Sequence, residues 1–174
     1  GVQLLTWAQS PTRDARGVSR EDAMRLFIAA ELPENLIETL SETSAVLRES
    51  VRGRYVGPNL FHVTLAFLGE VDSRRADDAA TALKQALDGH TPFTATLGDL
   101  GSFGNRNSAT LWQGFDTASA EAFAVLARDV RAALSVHGLP YDAKAFRTHV
   151  TLMRAADLSH GTLPSPLTAT GAVS

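Results

Sequence analysis

Apolar residues along this chain follow two kinds of spacing in different segments. Continuous runs, or apolar residues at every second position, predict strands. Continuous or alternating apolar runs with β-branched residues mark residues 25–32, 61–67, 93–97, 110–115 and 148–152. Glycine-rich or proline-containing stretches separate most of these runs, as expected for the connections between strands. The pattern therefore predicts several short strands distributed over the whole chain.

The other spacing, with apolar residues three and four positions apart, predicts three helices between these strands. The helices begin near Pro33, after Asp72 or Ser73, and at Thr117 or Ser119, which are residues suited to helix N-termini. The resulting order of strand, helix and strand occurs once in each half of the chain. This order indicates a loose internal duplication rather than a short-period repeat.

Each half contains one copy of the tetrapeptide His-Val-Thr-Leu. His62 and His149 are 149 − 62 = 87 residues apart, and Thr64 and Thr151 follow them at the same spacing. Alternation along a strand places each histidine and its threonine on one face, about 7 Å apart. The other face is predicted to be apolar and buried, and in the first copy it comprises Phe61, Val63, Leu65 and Phe67. The alternative is two unrelated core strands whose histidines are merely hydrogen-bonded.

Residues 1–23 show no sustained periodicity, which predicts a loose leader or a non-native extension before a single domain at 24–174. The glycine-rich stretch 101–105 lacks the spacing of a phosphate-binding loop and is predicted to connect two strands of a hairpin.

Composition excludes several classes of protein. The net charge of −3 argues against a broad basic surface for duplex nucleic acid but permits a locally basic pocket. Without cysteine the chain has neither disulfides nor thiolate metal sites, and this fits a cytoplasmic protein. No apolar run reaches the roughly 20 residues of a membrane helix. We therefore expect a cytoplasmic protein without membrane association, and we infer no obligate protein partner.

Both motifs and their neighbours resemble the two-histidine (HxTx) phosphoesterase superfamily, and more closely its LigT-like group of bacterial 2'-5' RNA ligases and RNA 2',3'-cyclic phosphodiesterases. The resemblance covers residues 24–154. It is carried by an opening strand at 25–29, by the first motif at 59–71 with the preceding segment 54–56, by a Gly-Phe turn at 98–104 and by the second motif at 146–154.

The resemblance implies an α+β fold of two pseudo-twofold-related lobes, whose antiparallel sheets flank a central cleft. Each lobe is expected to contribute one motif strand to that cleft. Members of the group usually continue past the second motif with further strands. Here a small, polar tail follows Pro164, so the closing hairpin is expected to be incomplete or rebuilt.

The resemblance also implies the chemistry, which is hydrolysis of 2',3'-cyclic phosphate ends of RNA to 2'-phosphates without metal or cofactor. His62 is expected to be the proton donor to the leaving 3'-oxygen, and His149 the proton acceptor that activates water. Thr64 and Thr151 are expected to bind the phosphate. The substrates implied are RNA ends or nucleotides that carry a cyclic phosphate.

Arg147 and Arg154 are further candidates for phosphate binding, against the alternative that both are solvated surface charges. Arg147 shares the strand parity of His149, whereas simple alternation places Arg154 on the opposite face. The other histidines, His90, His137 and His160, are interpreted as structural or incidental. Candidates for stacking on a nucleobase are Phe61, Phe146, Tyr55 and Trp112, with core packing favoured for the two phenylalanines.

Several functions remain open at this level. The same two histidines serve 2'-5' ligation of tRNA halves or hydrolysis of a 2'-5' linkage. A non-catalytic protein that binds RNA ends is an alternative of another class, although such a protein has no need of a paired acid and base. A metal hydrolase is a third option, but two histidines without neighbouring carboxylates or cysteines make a poor metal site.

Overall fold

The computed structural model describes residues 1–6 and 24–174. Within these residues the chain forms three α-helices and eight β-strands, and a single 3₁₀ turn at Pro58–Leu60. The strands are β1 Val2–Thr6, β2 Met24–Glu31, β3 Arg54–Tyr55, β4 His62–Val71, β5 Phe93–Phe103, β6 Ala109–Phe115, β7 Val150–Ala156 and β8 Thr170–Val173. The helices are α1 Glu34–Arg48, α2 Ser73–Leu87 and α3 Thr117–Val136.

The described strands form two antiparallel sheets, and each sheet contains one motif strand. The smaller sheet has the order β1-β2-β4, and the larger has the order β3-β7-β6-β5-β8. The first motif therefore lies at an edge of the smaller sheet, and the second lies inside the larger one. The predicted α+β class with antiparallel sheets is confirmed.

The helices begin close to the predicted positions because acidic side chains cap two of them. The Asp72 carboxylate accepts a hydrogen bond from the backbone N–H of Arg75 at 2.8 Å, and Asp116 does the same for Ser119. The sequence prediction placed the start of α3 at Thr117 or Ser119, and the capping residue is Asp116. The apolar faces of all three helices pack into one core with the sheets.

The prediction of an unstructured leader is wrong at its start. Val2–Thr6 forms β1, which pairs with β2 from Val2↔Ala30 to Thr6↔Leu26. The strand is short, and its half-buried residues Val2 and Leu4 pack against the core, so periodicity over five residues gave little signal. Residues 7–23 of the predicted leader lie outside the described residues.

The tail also contributes a strand, since β8 pairs with β5 from Phe93↔Val173 to Thr96↔Thr170. Gln113 on β6 links the segment before β8 to the larger sheet through hydrogen bonds. Its side-chain amide is fully buried and donates hydrogen bonds to the carbonyls of Gly98 at 3.0 Å and Leu167 at 2.8 Å. The tail that sequence analysis treated as small and polar is thus tied to the larger sheet.

Replacing this amide tests the attachment. Gln113→Leu removes the donor from two carbonyls, so the free energy of unfolding should fall by about 1–3 kcal/mol. Gln3→Leu, at an exposed position of β1, is the matched control and should change it by no more than about 0.5 kcal/mol. Urea denaturation followed by circular dichroism measures both. Equal stability of the two variants would contradict the role assigned to Gln113.

Candidate active site

A β-bulge interrupts β4 directly after the first His-x-Thr motif. Ala29 pairs with Thr64 and Ile28 with Ala66, so Leu65 has no opposite residue on β2. Leu65 and Ala66 are consequently both buried, and the next residue, Phe67, is 46% exposed. The prediction that Phe67 faces the core is therefore wrong, because the bulge reverses the alternation. Phe67 lies on the same face as His62.

The second motif carries the same irregularity in β7. Thr151 pairs with Trp112 and Met153 with Leu111, which leaves Leu152 as the extra residue. Leu152 and Met153 are both fully buried, and Arg154 is exposed. The prediction that Arg154 lies on the far face is therefore wrong, because the extra residue reverses the alternation. Arg154 projects from the face that carries His149 and Thr151.

The two motif strands therefore present equivalent sets of three side chains. The first set is His62, Thr64 and Phe67, and the second is His149, Thr151 and Arg154. In each set the third side chain follows the histidine by five positions, since 67 − 62 = 5 and 154 − 149 = 5. The first strand places a phenylalanine there and the second places an arginine. This makes the site symmetric in its backbone and asymmetric in its charge.

The imidazole of His149 is held by its own backbone and by two aromatic rings. Its Nδ1 lies 2.7 Å from the carbonyl oxygen of Arg147. A carbonyl only accepts, so Nδ1 carries the hydrogen, and Nε2 of the neutral ring is free to take a proton. The ring centres of Phe103 and Trp112 lie 5.0 Å and 5.8 Å away. His149 itself directly precedes the first residue of β7.

His62 has a matching environment on the other strand. It is the first residue of β4, and it is hydrogen-bonded to the backbone of Leu60, two residues earlier, as His149 is to Arg147. The ring of Phe27 packs against it with 5.2 Å between centres. Both histidines thus use one ring nitrogen for backbone contact and leave the other for a reacting group.

Burial lowers the pKa of both histidines below the ordinary value of 6.5. For His62 and His149 alike, loss of hydration is the largest cause, and the backbone hydrogen bond opposes it. The positive charge of Arg154 lowers the pKa of both rings further. His149 in turn lowers the pKa of His62, whereas Arg147 acts on His149. Because Arg154 acts on both rings and His149 acts on His62, we assign both imidazoles and Arg154 to one site.

The remaining predicted residues lie on the same two strands. Thr64 and Thr151 are half-buried on the histidine faces. Arg147 is exposed, and its guanidinium lies 4.9 Å from the centre of the Trp112 ring. Because Trp112 also contacts His149, this stacking holds the Arg147 cation beside the second motif.

Arg131 on α3 connects the two motif segments. Its Nε donates a hydrogen bond to the carbonyl of Leu65, at the bulge of β4, at 3.1 Å. Its Nη1 donates another to the carbonyl of Lys144, at 2.9 Å, in the segment that leads to His149. One side chain therefore fixes the first bulge relative to the approach to the second motif. Nothing in the sequence pattern distinguished Arg131 from other helix-surface arginines.

Several candidates from the sequence lie elsewhere or have other contacts. His90, His137 and His160 contact Asp129, Gln85 and Asp157 respectively, which agrees with their structural interpretation. Phe61 is buried in the core, Phe146 packs against the core and near Arg131, and the Tyr55 hydroxyl donates to the carbonyl of Val51. Of the stacking candidates, only Trp112 contacts a motif histidine.

Sequence reasoning missed Phe103, which contacts both His149 and Trp112. Phe103 lies in the glycine-rich stretch that was predicted to be a connection. In the structure β5 extends into this stretch, and Phe103 is the last residue of the strand. The turn itself follows, with Gly104 at φ = 84°. An aromatic residue among glycines and polar residues was the available signal.

Within the described part of the chain, no three His, Cys, Asp or Glu side chains are arranged to hold a metal ion. No helix there is long and apolar enough to cross a membrane. Apart from the effect of His149 on His62, the charged groups whose fields act on the two histidines are arginines. A site of this kind favours an anionic ligand.

Two sheets that present paired His-x-Thr strands to one cationic site define a two-histidine phosphoesterase. A sequence profile of the 2'-5' RNA ligase superfamily matches residues 30–163. The chain belongs to this superfamily.

Individual relatives agree with this assignment. The RNA 2',3'-cyclic phosphodiesterase of Thermus thermophilus is 33% identical over 137 residues, which are 75% of this chain and 68% of that protein. The protein of the same name from Escherichia coli is 30% identical over 145 residues, 83% of this chain and 79% of its own. The crystal structure of E. coli LigT complexed with 3'-AMP superposes with a TM-score of 0.71 and 27% identity, covering 87% of this chain and 84% of LigT.

The shared field of Arg154 gives a direct test of the site geometry. Arg154→Gln should raise the pKa of both His62 and His149, because the cation lowers both. Arg147→Gln should raise the pKa of His149 and leave that of His62 nearly unchanged. Proton NMR titration of the imidazole C–H signals at low salt measures each value.

Arg52→Gln is the control. It removes the same charge from an exposed position in the same half of the chain as His62, and it should leave the pKa values of His62 and His149 unchanged. If Arg154→Gln moves only one histidine, the two rings do not share this arginine. The arrangement of both imidazoles around Arg154 would then be incorrect.

Proposed function

We propose that this protein is an RNA 2',3'-cyclic phosphodiesterase that opens cyclic phosphate ends to 2'-phosphates. The observation that carries the proposal is the pair of half-buried imidazoles, each with one nitrogen bound to a backbone carbonyl and both within the field of Arg154. Superfamily membership and relatives of that name support the same activity. We place the enzyme in the cytoplasm, as the absence of cysteine suggested.

In this mechanism His149 is the base. Nε2 of the neutral ring takes a proton from water, and the water oxygen forms a bond to phosphorus. The Nδ1 hydrogen bond to the Arg147 carbonyl keeps the ring in the tautomer that exposes Nε2. A pKa lowered by burial keeps the ring neutral, and so ready to accept a proton, at neutral pH.

His62 is the acid that completes the reaction. As the bond between phosphorus and the 3'-oxygen breaks, the imidazolium of His62 gives its proton to that oxygen, and a 2'-phosphate monoester remains. The lowered pKa of His62 makes the charged form scarce in the free protein. The negative charge of a bound phosphate favours that form, so the substrate itself helps to prepare the acid.

The other polar residues of the motifs stabilise the phosphate. Thr64 and Thr151 donate hydrogen bonds to its non-bridging oxygens, where negative charge increases in the transition state. Arg154 supplies positive charge from the second strand, and Arg147 adds to it beside Trp112. None of these steps needs a metal ion.

A 2'-5' RNA ligase, or a phosphodiesterase for 2'-5' linkages, is the alternative favoured by the superfamily's description. Ligation uses the same two imidazoles in the same roles, with the 5'-hydroxyl of a second RNA end in place of water. His149 takes the proton of that hydroxyl as its oxygen bonds to phosphorus, and His62 protonates the leaving 3'-oxygen. Analysis of the RNA ends formed from a cyclic-phosphate substrate separates these activities. A non-catalytic protein for RNA ends would bind the same ends and leave them unchanged.

The division of labour between the histidines is tested with two leaving groups. On a cyclic-phosphate RNA end, His62→Ala and His149→Ala should each lower kcat/KM by about 100-fold or more. A nitrophenyl phosphodiester has a good leaving group and needs little protonation. On that substrate His62→Ala should recover much of its activity, whereas His149→Ala should remain impaired.

The assays contain excess EDTA, which should leave the wild-type rate unchanged. Circular dichroism confirms that each variant is folded. Rescue of His149→Ala instead of His62→Ala would reverse the two roles, and full activity of either variant on the RNA end would remove that residue from the mechanism. Loss of wild-type activity in EDTA, restored by zinc or manganese, would contradict the metal-free reaction.

A further inference from the structure

The short edge strand β3 places a second arginine beside Arg154. Arg54 on β3 pairs directly with Arg154 on β7, and the adjacent pair is Tyr55↔Met153. Met153 is fully buried and Tyr55 packs against the core, so this second pair faces inward. Directly opposite residues share a face and successive residues alternate. Arg54 and Arg154 therefore project together from the face that carries the second motif.

Two like charges directly opposite each other in a sheet are unfavourable. Among the ion pairs formed within residues 1–6 and 24–174, none includes Arg54 or Arg154. The neighbouring Arg48 and Arg52 are in none of these ion pairs either, but each lies beside a group that attracts a cation. Hydrogen bonds from Ser159 lower the pKa of the Asp157 carboxyl, and the charge of the nearby Arg52 adds to this effect. Arg48 lies 4.2 Å from the centre of the Tyr55 ring. The Arg54–Arg154 pair is thus a concentration of positive charge that an anionic ligand would stabilise.

The two arginines differ in their distance from the reacting atoms. Arg154 is on β7, and its charge lowers the pKa of both histidines. Arg54 stands one strand further out, at the edge of the larger sheet. The chain also runs from Arg54 through the 3₁₀ turn Pro58–Leu60 directly into His62. Arg54 is therefore at the rim of the site, one strand outside Arg154.

We propose that Arg54 is a specificity-determining residue that binds the phosphodiester group on the 5' side of the terminal nucleotide, while Arg154 serves the cyclic phosphate. This inference rests on the proposed function and defines its substrate class more closely. The preferred substrate is then the end of an RNA chain, with at least one internucleotide phosphate, rather than a free nucleoside 2',3'-cyclic phosphate. A guanidinium at the rim suits this task, because it offers several donors to phosphate oxygens.

The kinetic test compares three substrates. They are adenosine 2',3'-cyclic phosphate, the dinucleotide ApA with a 2',3'-cyclic phosphate end, and the same dinucleotide with an uncharged methylphosphonate linkage. Arg54→Gln should lower kcat/KM on the charged dinucleotide on the order of tenfold, mainly through KM. On the other two substrates, kcat/KM should stay within about twofold of the wild-type value.

Arg52→Gln is the matched control. It removes the same charge from an exposed position two residues away, and it should leave kcat/KM on all three substrates unchanged. Thermal unfolding checks that both variants are folded. If Arg52→Gln lowers the rate on the charged dinucleotide as much as Arg54→Gln does, general charge rather than a contact of Arg54 explains the preference, and the proposal fails.

A binding measurement makes the test independent of turnover. Calorimetric titration with ApA ending in a 2'-phosphate, and with adenosine 2'-phosphate, gives Kd for each variant. Arg54→Gln should weaken binding of the dinucleotide on the order of tenfold and leave the mononucleotide unaffected. The slope of log Kd against log salt for the dinucleotide should decrease by about 0.7, the value for one phosphate contact with a single strand.

The outcomes separate the two proposals. Equal losses on all substrates and ligands, or no loss on any, would overturn the role of Arg54. Failure of the wild-type protein to open either cyclic phosphate would overturn the proposed function, and the titrations would still decide whether Arg54 contacts the additional phosphodiester.

Discussion

The backbone bulge that follows each His-x-Thr motif is the constraint on which the site depends. A regular strand delivers alternate side chains to one face, so His62 and Thr64 would be followed on that face by Ala66. The extra residues, Leu65 and Leu152, stay in the core and shift the alternation by one position. A large third side chain thereby reaches each histidine face without removing an apolar side chain from the core.

Charge breaks the symmetry that the two bulges create. Phe67 and Arg154 occupy equivalent positions, so one strand offers an aromatic side chain and the other a cation. Arg54 pairs with Arg154, and Arg147 stacks on Trp112 of the same sheet, so the positive charge lies on the side of the larger sheet. Burial, together with the charge of Arg154, lowers the pKa of both imidazoles. In this arrangement both imidazoles are neutral in the free protein, and a bound phosphate favours the charged form of His62. These two states suit a base and an acid that act as a pair.

Much of this structure could be predicted from the sequence, because the two motifs, the helix stripes and the caps are local signals. The bulges could not be predicted, since an extra residue in a strand leaves the apolar run looking continuous, as in Leu65-Ala66 and Leu152-Met153. Parity arguments therefore failed at Phe67 and Arg154, immediately beyond each motif. Arg131 and Phe103 escaped notice for another reason. Their contacts depend on how α3 and β5 pack against the motif segments, which no local pattern records.

The pH dependence of kcat/KM on a cyclic-phosphate RNA end tests the paired-histidine account most directly. The wild-type profile should be a bell, and its maximum should lie below about pH 6.5, because both pKa values of the free protein are lowered. His149→Ala should lose the acidic limb, since no base remains to be protonated, and keep the alkaline one. His62→Ala should lose the alkaline limb and keep the acidic one. A bell that persists unchanged in either variant would contradict the account.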